Sequence, residues 1–133
     1  MRVLAAIWLG AAFSARGAVA EDCGDMKTQI EFTACANQAL QASERLLDEV
    51  YVQLADRLKG RVEASAALTA AKQAWIAFRD AECAFVASNS VGGSVYPMIV
   101  AQCREGLTRA RIATLNSYMK CQEGDLTCPV PSK

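Results

Sequence analysis

The chain has 133 residues, of which 53% are hydrophobic and 21% charged, and its 14 basic residues balance 14 acidic ones. This length allows one ordinary domain with one modest core. The absence of a net positive charge argues against nucleic acid or an anionic membrane as a partner. The chain contains no histidine, which removes the commonest general base.

The first twenty residues have the form of a secretory signal peptide. Arg2 supplies the positively charged n-region, and an apolar run follows at 3–13. The small residues Ala-Val-Ala at 18–20 form a signal-peptidase cleavage pattern. The run is too short to span a bilayer, which takes roughly 18 to 20 residues. We therefore expect cleavage after Ala20, a periplasmic or secreted protein, and no membrane insertion. The remaining chain carries 12 basic and 14 acidic residues, a balance of −2.

Hydrophobic periodicity predicts a first helix over about 28–58. Its apolar stripe recurs at three- and four-residue steps and consists of Leu40, Leu47, Val50, Tyr51, Leu54 and Leu58. Thr28 and Glu31 have the spacing of a capping box at the helix start, and Gly60 is a natural stop.

A second, alanine-rich helix is predicted over about 65–87. Its bulky apolar surface is expected to consist of Leu68, Trp75, Phe78, Cys83 and Phe85. The following segment, 88–94, lacks apolar periodicity and contains the only Gly-Gly pair, so we expect it to be the main exposed loop.

A third helix is predicted to begin near Pro97, because proline suits the first helical turn, and to end near Gly124. Its apolar residues are Met98, Ile99, Cys103, Leu107, Ile112, Leu115 and Met119. No segment shows the alternation of a half-buried strand. The sequence therefore predicts an all-α fold, a small antiparallel up-down-up three-helix bundle spanning 21–120, followed by a polar C-terminal tail, 121–133.

All the cysteines follow the expected cleavage point, and they are Cys23, Cys35, Cys83, Cys103, Cys121 and Cys128. An even number in a small exported chain predicts a framework of three disulfides, although six cysteines allow fifteen pairings. Antiparallel helices would bring Cys83 to Cys103. Cys121 and Cys128 could close a short tail loop, which leaves Cys23 to fold back onto Cys35.

Catalytic residues are not apparent. Asp48 and Glu49 are adjacent in a helix and diverge, as do Asp80 and Glu82. A compact bundle also offers little cleft for a glycosidase that uses two carboxylates. No C-x-x-C pair occurs. We predict a protein that is not an enzyme and has no cofactor or metal.

Two regions are candidates for binding a partner. Arg79 and Asp80 lie beside Trp75 and Phe78, a pattern more typical of an ion-pair network on the helix surface, with the guanidinium stacked on an aromatic ring, than of a recognition patch. The other candidate is the loop with Gly92, Gly93, Ser94 and Tyr96, which a disulfide at its base would pre-organise. The alternative is a simple helix connection, in which glycines supply positive φ and Ser94 or Tyr96 lies near the next helix start.

The pattern of residues resembles the lysozyme-inhibitor LprI-type domain, a family of small exported bacterial helical domains. The resemblance covers about 23–115 and is strongest at 74–80 (Ala-Trp-Ile-Ala-Phe-Arg-Asp). Its other elements are Cys23, Thr28, Cys35-Ala36, Ser43-Glu44, Leu47-Asp48, Tyr51, Leu54, Cys83, Gly92-Gly93-Ser94, Cys103, Thr108, Arg111 and Leu115. Family members often have Ala-Asp and Leu-Asn where this chain has Ser43-Glu44 and Leu47-Asp48.

The resemblance implies an exported domain and, for some members, inhibition of lysozyme. The first hypothesis is therefore an inhibitor that binds a c-type lysozyme, with the loop near Tyr96 entering the saccharide cleft and Arg79 or Arg104 facing its carboxylates. The second is a periplasmic interaction or scaffold module that does not meet lysozyme. The third, a hydrolase acting on peptidoglycan, is disfavoured by the absence of histidine.

Overall fold

The computed structural model describes residues 23–122 and 124–130. Within these residues the chain forms three α-helices and no strand: α1 (Gln29–Arg57), α2 (Val62–Val86) and α3 (Tyr96–Tyr118). Short 3-10 helices cover Cys23–Asp25 and Ser88–Ser90. The all-α class predicted from the sequence is confirmed. The predicted signal peptide and its cleavage site lie outside the described residues.

Helix α1 begins at the predicted capping box. The Thr28 hydroxyl accepts a hydrogen bond from the Glu31 amide at 3.2 Å, and the Thr28 amide donates to the Glu31 carboxylate at 2.8 Å. Backbone hydrogen bonds from Lys27 and Thr28 lower the pKa of Glu31 below its ordinary value, because they favour the charged carboxylate. At the other end, Gly60 adopts a φ of 83°, which lets the chain turn sharply into α2.

The helices run up, down and up. Arg57 donates to the Met119 carbonyl and Gln29 lies against the Met98 sulfur, so both ends of α1 match those of α3 and the two helices are parallel. They form the closest helix pair. The disulfide between Cys83 and Cys103 joins the last turns of α2 to the first turns of α3. Helix α2 is therefore antiparallel to both.

The core lies mainly between α1 and α3. Its larger cluster consists of Leu47, Val50, Tyr51, Leu54, Leu115 and Val130, and a smaller one consists of Ala36, Leu40 and Ala101. In α2 only Arg79 and Cys83 are buried. Phe78 and Phe85, both assigned to the apolar surface of this helix, are 54% and 74% exposed. That predicted surface is therefore divided between the core and the solvent.

The end predicted for the third helix is wrong. Helix α3 stops at Tyr118, several residues before Gly124, and the chain then turns back on itself. Val130 is only 3% exposed and packs in the larger core cluster. A helix that continued to Gly124 would carry the chain away from this site. Part of the tail predicted to be polar therefore fills the core.

The three predicted disulfides are confirmed. They join Cys23 to Cys35, Cys83 to Cys103 and Cys121 to Cys128, with Cα–Cα distances of 6.0, 5.6 and 5.6 Å. Over the part of the chain that the structure describes, no helix is both long and apolar enough to cross a membrane.

Candidate protein-binding site

The loop predicted to bind a partner connects α2 to α3. Its single 3-10 turn, Ser88–Ser90, is followed by the exposed residues Gly92, Gly93 and Ser94. Tyr96 is the first residue of α3 and is half-buried. The sequence-based alternative, a helix connection with these residues near the helix start, thus describes the backbone correctly. A connection and a binding loop are compatible with each other.

Backbone hydrogen bonds give the loop a defined shape. The Gly93 amide donates to the Ser90 carbonyl at 2.9 Å, and the Tyr96 amide donates to the Gly93 carbonyl at 3.2 Å. Gly92 adopts a φ of 81°, which disfavours any residue with a Cβ atom. A Cβ added to Gly93 would lie 3.1 Å from the Ser90 carbonyl oxygen. A larger residue at either position would therefore disturb the backbone of the loop.

The base of the loop is closed by the bridge between Cys83 and Cys103. Cys83 is fully buried, and Ala87, the C-cap residue of α2, is 1% exposed. The loop therefore leaves and re-enters a rigid part of the bundle. A loop held in this way loses less conformational entropy on binding than a free one.

Arg79 lies in the interior, where α1, α2 and α3 meet. Its Nη1 donates to the Glu44 carboxylate at 2.9 Å and to the Thr108 hydroxyl at 3.3 Å, while its Nε donates to the Asp80 carboxylate at 3.1 Å. The Arg79 side chain is 9% exposed, and Thr108 is fully buried. These bonds make Arg79 a connector of the three helices. The sequence pattern favoured an ion-pair network on the helix surface, whereas Arg79 itself is buried.

An aromatic ring extends this Arg79 network. The guanidinium carbon of Arg79 lies 5.4 Å from the centroid of the Trp75 ring, and that of Arg111 lies 5.9 Å from it. Arg111 Nε also donates to the Tyr51 hydroxyl at 3.3 Å. Two cations near one indole ring are favoured by its negative faces. The sequence pattern identified Trp75 and Arg79 but missed the partners on α1 and α3.

Arg104 is more accessible than Arg79. Its side chain is 34% exposed, and its Nε lies 3.1 Å from the Asp80 carboxylate without the alignment of a hydrogen bond. It follows Tyr96 by eight residues, about 12 Å along the helix axis. Among the described residues, no hydrogen bond or ion pair links the loop to Arg79 or Arg104. The candidate binding residues thus fall into two groups. Gly92, Gly93, Ser94 and Tyr96 belong to the loop, and Arg79 and Arg104 belong to an ion-pair network around Asp80.

Three carboxylates of the bundle are engaged by basic side chains. Glu44 and Asp80 bind Arg79, and Asp48 accepts from Lys72 at 2.9 Å. A groove of about 340 Å³ lies between α1 and α2, and the Lys72–Asp48 pair crosses its rim. Within the described ranges, no group of acidic residues or cysteines is placed to hold a metal ion. The geometry is that of a packed scaffold on which the connection between α2 and α3 is exposed.

Comparison with known proteins identifies one matching family. The family described as "Lysozyme inhibitor LprI" matches residues 20–115. A protein of Rhizobium meliloti (strain 1021), "Uncharacterized protein R02472", is 33% identical over 113 residues, covering 77% of this chain and 81% of the relative. No solved structure matches.

Proposed function

Since the chain belongs to the lysozyme inhibitor LprI family, we propose that the mature protein binds a c-type lysozyme and inhibits it by a non-catalytic protein–protein contact. The family match over 20–115 is the observation that carries this proposal. The R. meliloti relative is uncharacterized and adds nothing on activity.

Charge and shape support the proposed contact. The chain after Ala20 has a balance of −2, which favours encounter with a strongly cationic lysozyme. The loop at Gly92–Gly93–Ser94 is exposed, carries small side chains and connects two helix ends, features that suit entry into a saccharide cleft. Tyr96 at its base is a half-buried aromatic side chain, a type enriched in the centres of interfaces.

Export is part of the same proposal. Disulfides persist in oxidising compartments, so a small domain with three of them fits a periplasmic or secreted protein. We propose that a signal peptidase cleaves after Ala20 and that the oxidised chain from Glu21 onward is the active form.

We expect the oxidised mature protein to inhibit lysis of a Gram-positive cell-wall suspension by c-type lysozyme. Inhibition should rise with dose and saturate, because the proposed contact blocks a single cleft. Turbidity decrease at fixed lysozyme concentration measures it. The matched control is the same protein reduced, alkylated at its cysteines and freed of reductant, which should not inhibit because the bundle loses its bridges.

Absence of inhibition at large molar excess, against several lysozyme types, would contradict the proposal. The remaining candidate is then an envelope interaction module that uses the same scaffold for another protein. Inhibition accompanied by turnover of cell-wall fragments would instead indicate a hydrolase.

Truncating the loop side chains should weaken inhibition. We expect the double variant Ser94→Ala, Tyr96→Ala to raise the inhibition constant about tenfold or more, the effect of losing one interface anchor worth roughly 1.4 kcal/mol. Ser94 is exposed, so its truncation removes little intramolecular packing. Inhibition titrations measure the constant, and circular dichroism checks that the helices persist.

The matched control for this variant is Val62→Ala, at the opposite end of α2 and 74% exposed. It should inhibit like the parent protein. Equal inhibition constants for the loop variant and the control would move the contact surface away from the loop while leaving the inhibitor proposal intact.

A further inference from the structure

The outer face of α2 is apolar over most of its length. Exposed residues at alternating four- and three-residue steps form a continuous line, here called the α2 seam: Ala67, Ala71, Ala74, Phe78, Ala81 and Phe85. More exposed alanines flank it at 66, 70, 77 and 84. Two phenylalanines that are 54% and 74% exposed make this more than a run of small residues.

Of the charged residues of α2 between 66 and 85, Lys72, Arg79 and Asp80 lie off this seam, whereas the partly buried Glu82 flanks it between Phe78 and Phe85. Lys72 pairs with Asp48 of α1, and Arg79 and Asp80 belong to the interior network. By contrast, the outer face of α1 is mixed: it exposes Gln41, Arg45, Asp48, Glu49 and Gln53 together with the apolar Leu46 and Val52. The seam is therefore unlike the other solvent-facing surface of the same bundle.

The spacing of the seam is that of a coiled coil. Steps of four, three, four, three and four residues keep a stripe on one side of a helix that supercoils with a partner. The intramolecular packing of α2 uses different positions, Leu68, Trp75, Arg79 and Cys83. Helix α2 thus carries two apolar stripes, and one of them lacks a partner within the described residues.

We propose that the α2 seam binds the α2 seam of a second copy of this chain, as an antiparallel two-fold pair. In this orientation the large side chains of one seam face the small side chains of the other. Reversing it places Phe85 opposite Ala67 of the other copy and Phe78 opposite its Ala74, so that each ring packs over a small residue. Alanine lets the two backbones approach closely enough to enclose these rings.

A parallel pair would lose this complementarity. Phe78 and Phe85 would each meet their own copies at one end, which would hold the helices apart where only alanines face each other. The exposed carboxylate of Glu63, at the start of α2, would also lie beside its own copy. The antiparallel pair avoids both and aligns the two helix dipoles favourably.

The area is sufficient for a weak dimer. The seam and its flanks expose roughly 500 Å² per copy over about 28 Å of helix, so pairing buries about 1,000 Å² in total. This is the lower limit of specific interfaces, which indicates association in the micromolar range. The pair leaves the loops between α2 and α3 at opposite ends, where both stay accessible.

Sedimentation equilibrium of the oxidised mature protein across the micromolar range tests this proposal. We expect the mass to rise from one to two copies, and the double variant Phe78→Glu, Phe85→Glu to remain monomeric at every concentration. Both side chains are exposed, so the variant should keep the parent's helical circular dichroism. The control Ile30→Glu, at an 82% exposed apolar residue of α1, should dimerise like the parent. A monomeric parent, or a dimer that the double variant retains, would overturn the proposal.

Cross-linking tests the orientation. In the antiparallel pair, residue 71 lies opposite residue 81 of the other copy. A mixture of Ala71→Cys and Ala81→Cys proteins should therefore give a mixed dimer with a short bis-maleimide, which reacts with the new thiols and not with the disulfides. Ala71→Cys alone should not cross-link, because its two copies lie about 15 Å apart along the axis. Cross-linking of Ala71→Cys alone, without the mixed product, would overturn the antiparallel arrangement.

Discussion

Replacing both cysteines of the Cys83–Cys103 bridge with alanine is expected to lower the free energy of unfolding by about 3 kcal/mol. The bridge closes the longest loop among the disulfides, with a sequence separation of 20, so its removal restores the most conformational freedom to the unfolded chain. Cys83 is also fully buried, and its sulfur fills space between α2 and α3. Urea unfolding followed by circular dichroism measures the loss.

The other bridges provide matched comparisons. Cys23–Cys35 and Cys121–Cys128 have sequence separations of 12 and 7, so their removal should cost progressively less. An order in which the Cys121–Cys128 variant is the least stable would contradict the loop-length argument. It would then point to the packing of Val130, which the tail bridge holds near the core.

The same Cys83–Cys103 variant separates stability from pre-organisation. At a temperature where it is still fully folded, a free loop base should weaken lysozyme inhibition, because the loop must then be ordered on binding. Removal of Cys121–Cys128, which lies beyond the other end of α3, should leave inhibition unchanged under matched conditions.

The local features of the fold could be predicted well. The capping box at Thr28 and the stop near Gly60 depend on residues a few positions apart, and both occur in the structure. The disulfide pairs were accessible to the same reasoning, since two bridges are short-range and the third spans one helix connection. Helix periodicity and simple geometry were sufficient for these features.

The path of the chain after α3 includes a core contact of Val130 that no local sequence pattern predicts. Gly124 is a good helix stop, but the helix ends at Tyr118, and Val130 lies in the same core cluster as Leu54 and Leu115. A single valine in a polar stretch carries no periodicity. Such a tertiary contact can be recognised only once the bundle is assembled.

Helix α2 shows a second limit. Both of its apolar stripes have helical spacing, so periodicity alone could not tell that Trp75 faces the bundle while Phe78 and Phe85 face the solvent. The sequence analysis therefore assigned the residues of both stripes to a single apolar surface of α2. The distinction required the positions of α1 and α3.

The residues that carry the family resemblance converge in space. Glu44, Tyr51, Thr108 and Arg111 are far apart in the sequence, yet all of them contact the Arg79 network. The pattern therefore describes how the three helices are held together. The resemblance also includes Gly92-Gly93-Ser94, which lies outside this network, in the loop proposed here to contact a partner.

Replacing Arg79 with alanine is expected to lower the free energy of unfolding by about 2 to 3 kcal/mol. Removing one partner of a buried ion pair costs about 3 to 5 kcal/mol, but Glu44 and Asp80 are 40% and 41% exposed, and water partly compensates them. The fully buried Thr108 hydroxyl also loses the Arg79 bond. Urea unfolding again measures the change.

Two controls decide what Arg79 does. Arg109→Ala removes an arginine whose side chain is 65% exposed, and should change the free energy of unfolding by less than about 0.5 kcal/mol. Arg79→Lys keeps the charge but not the planar fork that reaches Glu44 and Asp80 together, so its stability should lie between those of the parent and Arg79→Ala. An Arg79→Ala protein that is as stable as the parent but no longer inhibits lysozyme would contradict the structural role and restore Arg79 as a recognition residue.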